Sequence, residues 1–139
     1  MMIDETDLQI ICLLMSNARM QWREIGEQVH LTGQAVANRI RKMEDLGIIE
    51  GYTVRLNESK LGKSILAYVT VFMKTTDYMA FNKFINQKEI ITEANQISGE
   101  GCYLLKVNAS SQDELLIFLD DILKYGNYRI NLSIGKIKG

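Results

Sequence analysis

The stretch that decides the fold is residues 31–53, which read LTGQAVANRIRKMEDLGIIEGYT. Apolar side chains recur in it at i, i+4 and i+7, the spacing of one buried helix face: Val36, Ile40 and Met43. Thr32 precedes the pattern as a helix cap, and Gly47 follows it as the left-handed stop typical of a helix end. The stretch predicts a helix that ends at Gly47 and is followed by a strand from Ile49 to Leu56.

The opposite face of this helix carries amide and cationic side chains: Gln34, Asn38, Arg41 and Lys42. Amides can pair with both edge groups of adenine, and Arg and Lys can meet guanine or phosphate. Arg39 lies on the flank, where it could bind phosphate or pair with an acid such as Glu24. An ordinary amphipathic helix with a solvated polar face has the same pattern, so this helix alone leaves both interpretations open.

Two further helices are predicted before it. A helix from Met20 to Val29 is followed by His30-Leu31-Thr32, a turn of helix-turn-helix length. A longer first helix, capped by Asp4 or Thr6, carries one apolar stripe that we expect to pack in the core, formed by Leu8, Ile11, Cys12 and Met15. Three helices, such a turn and a following strand are the parts of a winged helix-turn-helix domain.

The sequence after about residue 64 alternates between strand and helix patterns. Strands are predicted over residues 65–73, 90–98, 103–109 and 129–137, with helices opened by Asp77 and by a capping box at residues 111–114. Gly126 is predicted to end the second of these helices. The order βαββαβ is that of a ferredoxin-like sandwich. The predicted fold class is therefore α+β, with a winged helix-turn-helix domain (1–50), a wing strand and linker (51–63) and a ferredoxin-like domain (64–139).

A series of spaced residues resembles a known family: Leu31-Thr32, Val36, Arg39-Ile40, Met43-Glu44, Gly47-Ile48-Ile49 and Gly51-Tyr52-Thr53. The pattern is similar to that of the Lrp/AsnC family, the feast/famine transcription regulators of bacteria and archaea. Ile3-Asp4 with Asp7 resembles the family's first helix, and Leu61-Gly62 its linker, so the likeness covers essentially the whole chain. It implies a transcriptional regulator that binds double-stranded DNA and carries a ligand-sensing, oligomerising second domain.

We expect the DNA contacts on the second and third helices, at Arg23, Thr32, Gln34, Asn38, Arg39, Arg41 and Lys42. The net charge of −1 is unusual for a DNA-binding protein, and residues 1–62 hold seven Lys and Arg against nine Asp and Glu. Between Arg19 and Lys42, however, five cations meet only two acids. A single domain should therefore bind weakly, and oligomerisation should supply affinity, because each neutralised phosphate adds to binding.

The second domain also predicts a homodimer. On its first strand Ala67, Val69 and Val71 alternate with Tyr68 and Phe72, so both faces carry apolar bulk. Since helices cover one sheet face only, we expect the other to pack against a second copy, which the family resemblance also implies. A monomer with scattered apolar surface residues is the alternative, and assembly of dimers into octamers is left open.

In the family that the chain resembles, amino acids bind near the turn between the second and third strands. That place is taken here by Ser98, Gly99, Glu100, Gly101 and Cys102. Two glycines would allow close approach of backbone amides to a carboxylate, and Glu100 could pair with an ammonium group. Many family members have Asp where this chain has Cys102, so an amino acid, an unusual effector, ligand-free DNA compaction and a plain hairpin turn all stay open.

The main rival classes are an enzyme and a stand-alone amino-acid sensing module. The sequence has one histidine, no nucleophile elbow, no phosphate-binding loop and no Cys/His spacing suited to a metal. We therefore expect no catalytic site, no metal and no cofactor. No window approaches the ~18 apolar residues of a membrane span and no leader opens the chain, so the expected location is the cytoplasm, away from membranes.

Overall fold

The structure is a computed structural model that describes residues 3–139. The chain divides into two compact units, Met1–Arg55 and Leu56–Gly139. The first unit is helical, with α1 (Glu5–Ser16), α2 (Trp22–Val29) and α3 (Gly33–Asp45). Its core contains the predicted buried face of α3, which is confirmed, together with one residue from each other helix: Ile10, Ile25, Val36, Ile40 and Met43.

The predicted apolar stripe of α1 is wrong in its phase. Asp4 caps the helix in a capping box with Asp7, but the buried side of α1 is formed by Asp7 and Ile10. The side chains of Leu8 and Met15 are 49% and 82% exposed, and Cys12 is also exposed, contrary to its expected place in the core, whereas Ile11 packs against the core. The apolar pattern predicted the wrong buried face because Asp7 counts as polar in such a pattern. It is buried all the same, since cationic partners compensate its charge.

The turn between α2 and α3 requires two special backbone positions. His30 ends α2 with φ of 61°, in the left-handed region. A Cβ on Gly26 would lie 2.3 Å from the carbonyl oxygen of Leu31, so the turn passes directly over this glycine. Thr32 caps α3 as predicted, accepting a hydrogen bond from the backbone N–H of Ala35, and Gly47 follows the helix with φ of 75°.

The predicted wing strand is not present. Residues 50–57 contain no regular secondary structure and are exposed, and the first strand of the described chain begins at Ile65. Tyr52, Val54 and Leu56 alternate with polar residues, which produced the strand prediction. Alternation alone is insufficient, because a strand also needs a neighbouring backbone for its hydrogen bonds.

The second unit is the predicted ferredoxin-like sandwich. After a 3₁₀ turn at Glu58–Leu61, its elements follow in the order β1 (Ile65–Met73), α4 (Tyr78–Gln87), β2 (Ile91–Gln96), β3 (Tyr103–Ala109), α5 (Gln112–Ile122) and β4 (Gly126–Leu132). The antiparallel sheet has the strand order β2-β3-β1-β4. The α+β fold class is thereby confirmed.

The core of this unit lies between the sheet and the two helices. Alternate residues of β1 and β3 point into it, and Phe81 of α4 and Phe118 of α5 meet them there. The predicted capping box of α5 is half formed: Ser111 accepts from the backbone N–H of Glu114, whose carboxylate accepts instead from the Ser110 hydroxyl.

The last strand begins three residues earlier than predicted. Gly126 was expected to end α5, but it opens β4, and a Cβ there would lie 2.3 Å from the carbonyl oxygen of Phe72. The glycine is therefore required for close pairing of β4 with β1. The sequence does not distinguish these two uses of glycine.

Candidate nucleic-acid interface and effector loop

One face of α3 presents three exposed polar side chains joined by hydrogen bonds. The Gln34 amide nitrogen donates to Oδ1 of Asn38 over 3.1 Å, and the Arg41 guanidinium donates to the same oxygen over 3.4 Å. The residues follow one another at intervals of four and three, so they lie on one helix face. We call them the α3 row. Helix formation alone places their side chains at the protein surface in a fixed order.

Two of the other predicted contact residues, Arg23 and Thr32, lie near the beginning of α3. Thr32 accepts the capping hydrogen bond through its hydroxyl oxygen, over 3.1 Å. An added Cβ on Gly33 would lie 3.4 Å from the backbone nitrogen of Arg23, so the first residues of α2 and α3 are close together. The Arg23 side chain is 87% exposed, and its nearest carboxylate oxygen, on Glu27, is 4.0 Å away. An exposed ion pair at this distance is too weak to fix the position of the side chain.

Arg39 and Lys42, also predicted to contact DNA, form ion pairs with acids of α1. The Arg39 guanidinium donates to both oxygens of Asp4, at 2.7 and 2.8 Å, and to Asp7 at 3.1 Å. The Lys42 ammonium donates to Asp7 over 2.7 Å. We call these four residues the ion cluster. The partner suggested for Arg39 from the sequence, Glu24, was wrong, because Asp4 and Asp7 are 35 and 32 positions away from Arg39 and only the fold brings them near.

The ion cluster keeps both of its carboxyl groups ionised. Hydrogen bonds from Arg39 and the backbone N–H of Asp7 lower the pKa of Asp4 from 3.8 to about 2. Burial alone would raise the pKa of Asp7, which is fully buried, but hydrogen bonds from Lys42, the Asp4 backbone and Arg39 outweigh it and lower this pKa as well. The cluster thus compensates a buried negative charge with two cations.

The predicted effector loop is a tight turn in the second unit. Gly99 and Gly101 both have positive φ, of 91° and 96°, and a Cβ on Gly101 would meet the Thr70 side chain at 2.5 Å. The N–H of Cys102 donates to the carbonyl oxygen of Val71 over 2.8 Å. This amide is therefore occupied by the sheet, while Ser98 and Gly99 are exposed.

Sequence analysis missed a cation beside this loop. Arg129 of β4 lies 3.6 Å from the carboxylate of Glu100, and its guanidinium is 5.5 Å from the ring centre of Phe72. Both charged side chains are largely exposed. The two residues are 29 positions apart, so no local sequence signal connects them, and only the β1–β4 pairing places Arg129 near the loop.

The described residues contain no group of three or more His, Cys, Asp and Glu side chains placed to hold a metal ion. Over the same part of the chain, no helix is both long and apolar enough to cross a bilayer.

The fold and the α3 row define a class of protein: a helix-turn-helix DNA-binding unit joined to an α+β unit. Residues 3–44 match the model of the AsnC-type helix-turn-helix domain, and residues 66–138 match the Lrp/AsnC ligand binding domain. The chain therefore belongs to the Lrp/AsnC family of transcriptional regulators. It is a helix-turn-helix regulator with a ligand-binding domain.

Relatives and solved structures agree with this assignment. The chain is 51% identical to the HTH-type transcriptional regulator LrpB of Bacillus subtilis, over 99% of this chain and 93% of that protein. It is 38% identical to LrpA of the same organism, over 97% and 100%. The structure of B. subtilis LrpC is similar with a TM-score of 0.94, at 31% identity and 99% coverage of both chains. A Neisseria meningitidis regulator solved with L-methionine has the same fold, with a TM-score of 0.91 at 23% identity, over 99% of this chain and 93% of that one.

Proposed function

We propose that this regulator reads duplex DNA through the α3 row, with Arg23 and Thr32 contacting the backbone near the beginning of the helix. The observation that carries the proposal is the shared hydrogen-bond acceptor of the row, Oδ1 of Asn38. It leaves Gln34 with its carbonyl oxygen, which can accept from N6–H of adenine, and one N–H, which can donate to N7 in the major groove. Recognition helices place their first residues against base edges, which is where Gln34 lies.

Arg39 and Lys42 have no part in this proposed interface, because their charges are compensated by the acids of α1. The remaining cations among the predicted contact residues are Arg23 and Arg41, both exposed. Two phosphate contacts per domain give modest affinity, and a dimer would double them. The proposal therefore requires a second copy.

We further propose that the copies join through the sheet face of the second unit that carries no helix. Paired residues of β1 and β3 lie on it, among them Tyr68 opposite Lys106 and Thr70 opposite Leu104. Tyr68 and Leu104 are 38% and 36% exposed, considerable for large apolar side chains inside a sheet. Packing two such faces would bury them, as in aligned sheet sandwiches.

We propose an amino acid as the effector of the second unit, bound at residues 98–102 together with Arg129. Glu100 would receive its ammonium group and Arg129 its carboxylate, so that the zwitterion replaces their mutual ion pair. The likeness to a regulator solved with L-methionine and the match to a ligand binding domain support this effector class. A thermal-shift screen of the twenty amino acids tests it: at least one should stabilise the unaltered protein and lose its effect in Arg129→Gln.

The DNA proposal is tested with the full chain and duplexes selected by it from a randomised pool. Fluorescence anisotropy should show tight binding to a selected duplex, weaker binding to a scrambled one and a steep fall of both with salt. Selected and scrambled duplexes bound equally well would contradict base recognition through the α3 row.

We propose that the protein acts by binding alone, without catalysis, in the cytoplasm where it can reach DNA.

A further inference from the structure

The ion cluster withdraws positive charge from the helix that is expected to meet DNA. Of the three cations on α3, which lies wholly within the described residues, only Arg41 makes no ion pair. We propose that Asp4 and Asp7 limit the sequence-independent affinity for DNA by holding Arg39 and Lys42 away from the phosphate backbone. This inference rests on the proposed DNA-binding role of the α3 row.

Without its ion pair, Lys42 would be able to reach the DNA backbone from its position on α3. It follows Asn38 by four residues, which places it one turn further along α3 and only about 40° around the helix from Asn38. Its flexible four-carbon stem could therefore direct the ammonium group toward a phosphate beside the row. The stem instead bends to Asp7, where the ammonium lies 2.7 Å from a carboxylate oxygen.

The burial of Asp7 explains why a DNA phosphate would not displace it as the partner of Lys42. Asp7 has no exposed surface, and a buried carboxylate that loses its partner is strongly disfavoured. A phosphate would have to compete with this penalty, whereas the exposed Arg41 carries none. The Lys42–Asp7 pair thus persists when DNA is bound. The contribution of phosphate contacts to affinity, which is common to all sequences, therefore stays small.

The consequence is a larger relative contribution from base contacts. Phosphate contacts add affinity for every sequence, while base-edge contacts separate one sequence from another. A helix that used all three cations would bind any duplex more tightly, with no gain in the difference between one sequence and another. Asp4 and Asp7 act here through Arg39 and Lys42 and are positioning residues.

The experiment measures the slope of log affinity against log salt for the full chain on a random-sequence duplex. Lys42→Gln removes the charge and keeps a hydrogen-bond donor for Asp7. Asp7→Asn releases Lys42, while Arg39 keeps its hydrogen bonds to Asp4, and the double variant tests whether Lys42 causes the change. Glu5→Gln is the matched control, because it removes one exposed acid of α1 that is in no ion pair of the described residues.

We expect Lys42→Gln to leave the slope of the unaltered protein unchanged, because Lys42 touches no phosphate there. Asp7→Asn should steepen the slope by about 0.9 because the released Lys42 contacts a phosphate, and adding Lys42→Gln should reverse this change. At fixed salt the affinity for the random-sequence duplex should rise in Asp7→Asn and stay unchanged in Glu5→Gln.

A slope that becomes shallower by about 0.9 per domain in Lys42→Gln alone would overturn the inference, since Lys42 would then already contact DNA. A folded Asp7→Asn protein with an unchanged slope would overturn it equally. If Asp7→Asn does not fold, the Lys42→Gln slope decides. Absence of DNA binding by the unaltered protein would overturn the proposed function as well, which separates the two failures.

Discussion

Replacing Gly26 by alanine should destabilise the first unit and disturb the helix-turn-helix. The new Cβ would lie 2.3 Å from the Leu31 carbonyl oxygen, and 3.2 and 3.3 Å from the carbonyl carbons of Leu31 and Thr32. All three are backbone atoms, so no side-chain rotation relieves the contact. The turn has to move until the shortest distance reaches the ordinary 3.4 Å.

The expected magnitude follows from two opposing effects. Overpacking of this kind costs up to about 3 kcal/mol, and a backbone obstacle places the cost at the upper end. Alanine is better than glycine inside a helix by about 1 kcal/mol. The net loss in free energy of unfolding should be about 2 kcal/mol. With an m-value of about 1 kcal/mol/M for a small unit, the urea midpoint should fall by about 2 M.

The chain contains a single tryptophan, which makes the assay specific for this unit. Trp22 opens α2 and is 49% exposed, so its fluorescence reports unfolding of the helical unit rather than of the sheet unit. Urea titrations of the unaltered and Gly26→Ala proteins, followed by this fluorescence, give the two midpoints directly.

The matched control is Gly33→Ala, on the other side of the same turn. An added Cβ there comes no closer than 3.4 Å to any atom, and Gly33 is the first residue of α3, where alanine is well tolerated. We expect its midpoint to be equal to or above that of the unaltered protein. A Gly26→Ala midpoint that also equals or exceeds it would refute the steric argument.

Three further predictions concern recognition, acid stability and assembly. Asn38→Ala should reduce discrimination between selected and random duplexes by ~1–3 kcal/mol, measured by competition anisotropy, and an equal loss on both duplexes would assign Asn38 to phosphate instead. The pKa of Asp4 is about 2 in the folded protein against 3.8 unfolded, so its ionised carboxylate stabilises the first unit above pH ~4. This stabilisation is lost as the pH falls toward 2. Urea midpoints followed by Trp22 fluorescence should therefore fall over that range, and the fall should be smaller in Asp4→Asn. Leu104→Lys should convert a dimer to monomers in sedimentation experiments while the fold is kept, and an unchanged sedimentation coefficient would place the interface elsewhere.

The sequence predicted what depends on local periodicity and on caps. The buried face of α3, its cap Thr32 and the stop at Gly47 are all determined within one helix, and each was confirmed. The βαββαβ order was confirmed for a similar reason, because each element carries its own apolar pattern and turn residues. Such signals need no knowledge of what lies opposite in space.

The errors arise where a distant residue decides. Asp7 is buried because Arg39 and Lys42, more than 30 positions away, compensate its charge, and this shifted the buried side of α1 from its predicted phase. Residues 51–57 have the alternation of a strand but no partner strand within the described chain. Arg129 reaches Glu100 only through strand pairing. Patterns along the chain do not record such partners.

The ion cluster also limits how this scaffold can be re-engineered. Exchanging α3 for the recognition helix of another regulator would be one way to transfer operator preference. Here a transplanted helix without cations at positions 39 and 42 would leave Asp7 buried with no counter-charge, at a cost of about 3–5 kcal/mol, a large part of the stability of a small domain. A successful graft would therefore have to import the matching first helix too, or replace Asp7 with an apolar residue at the same time.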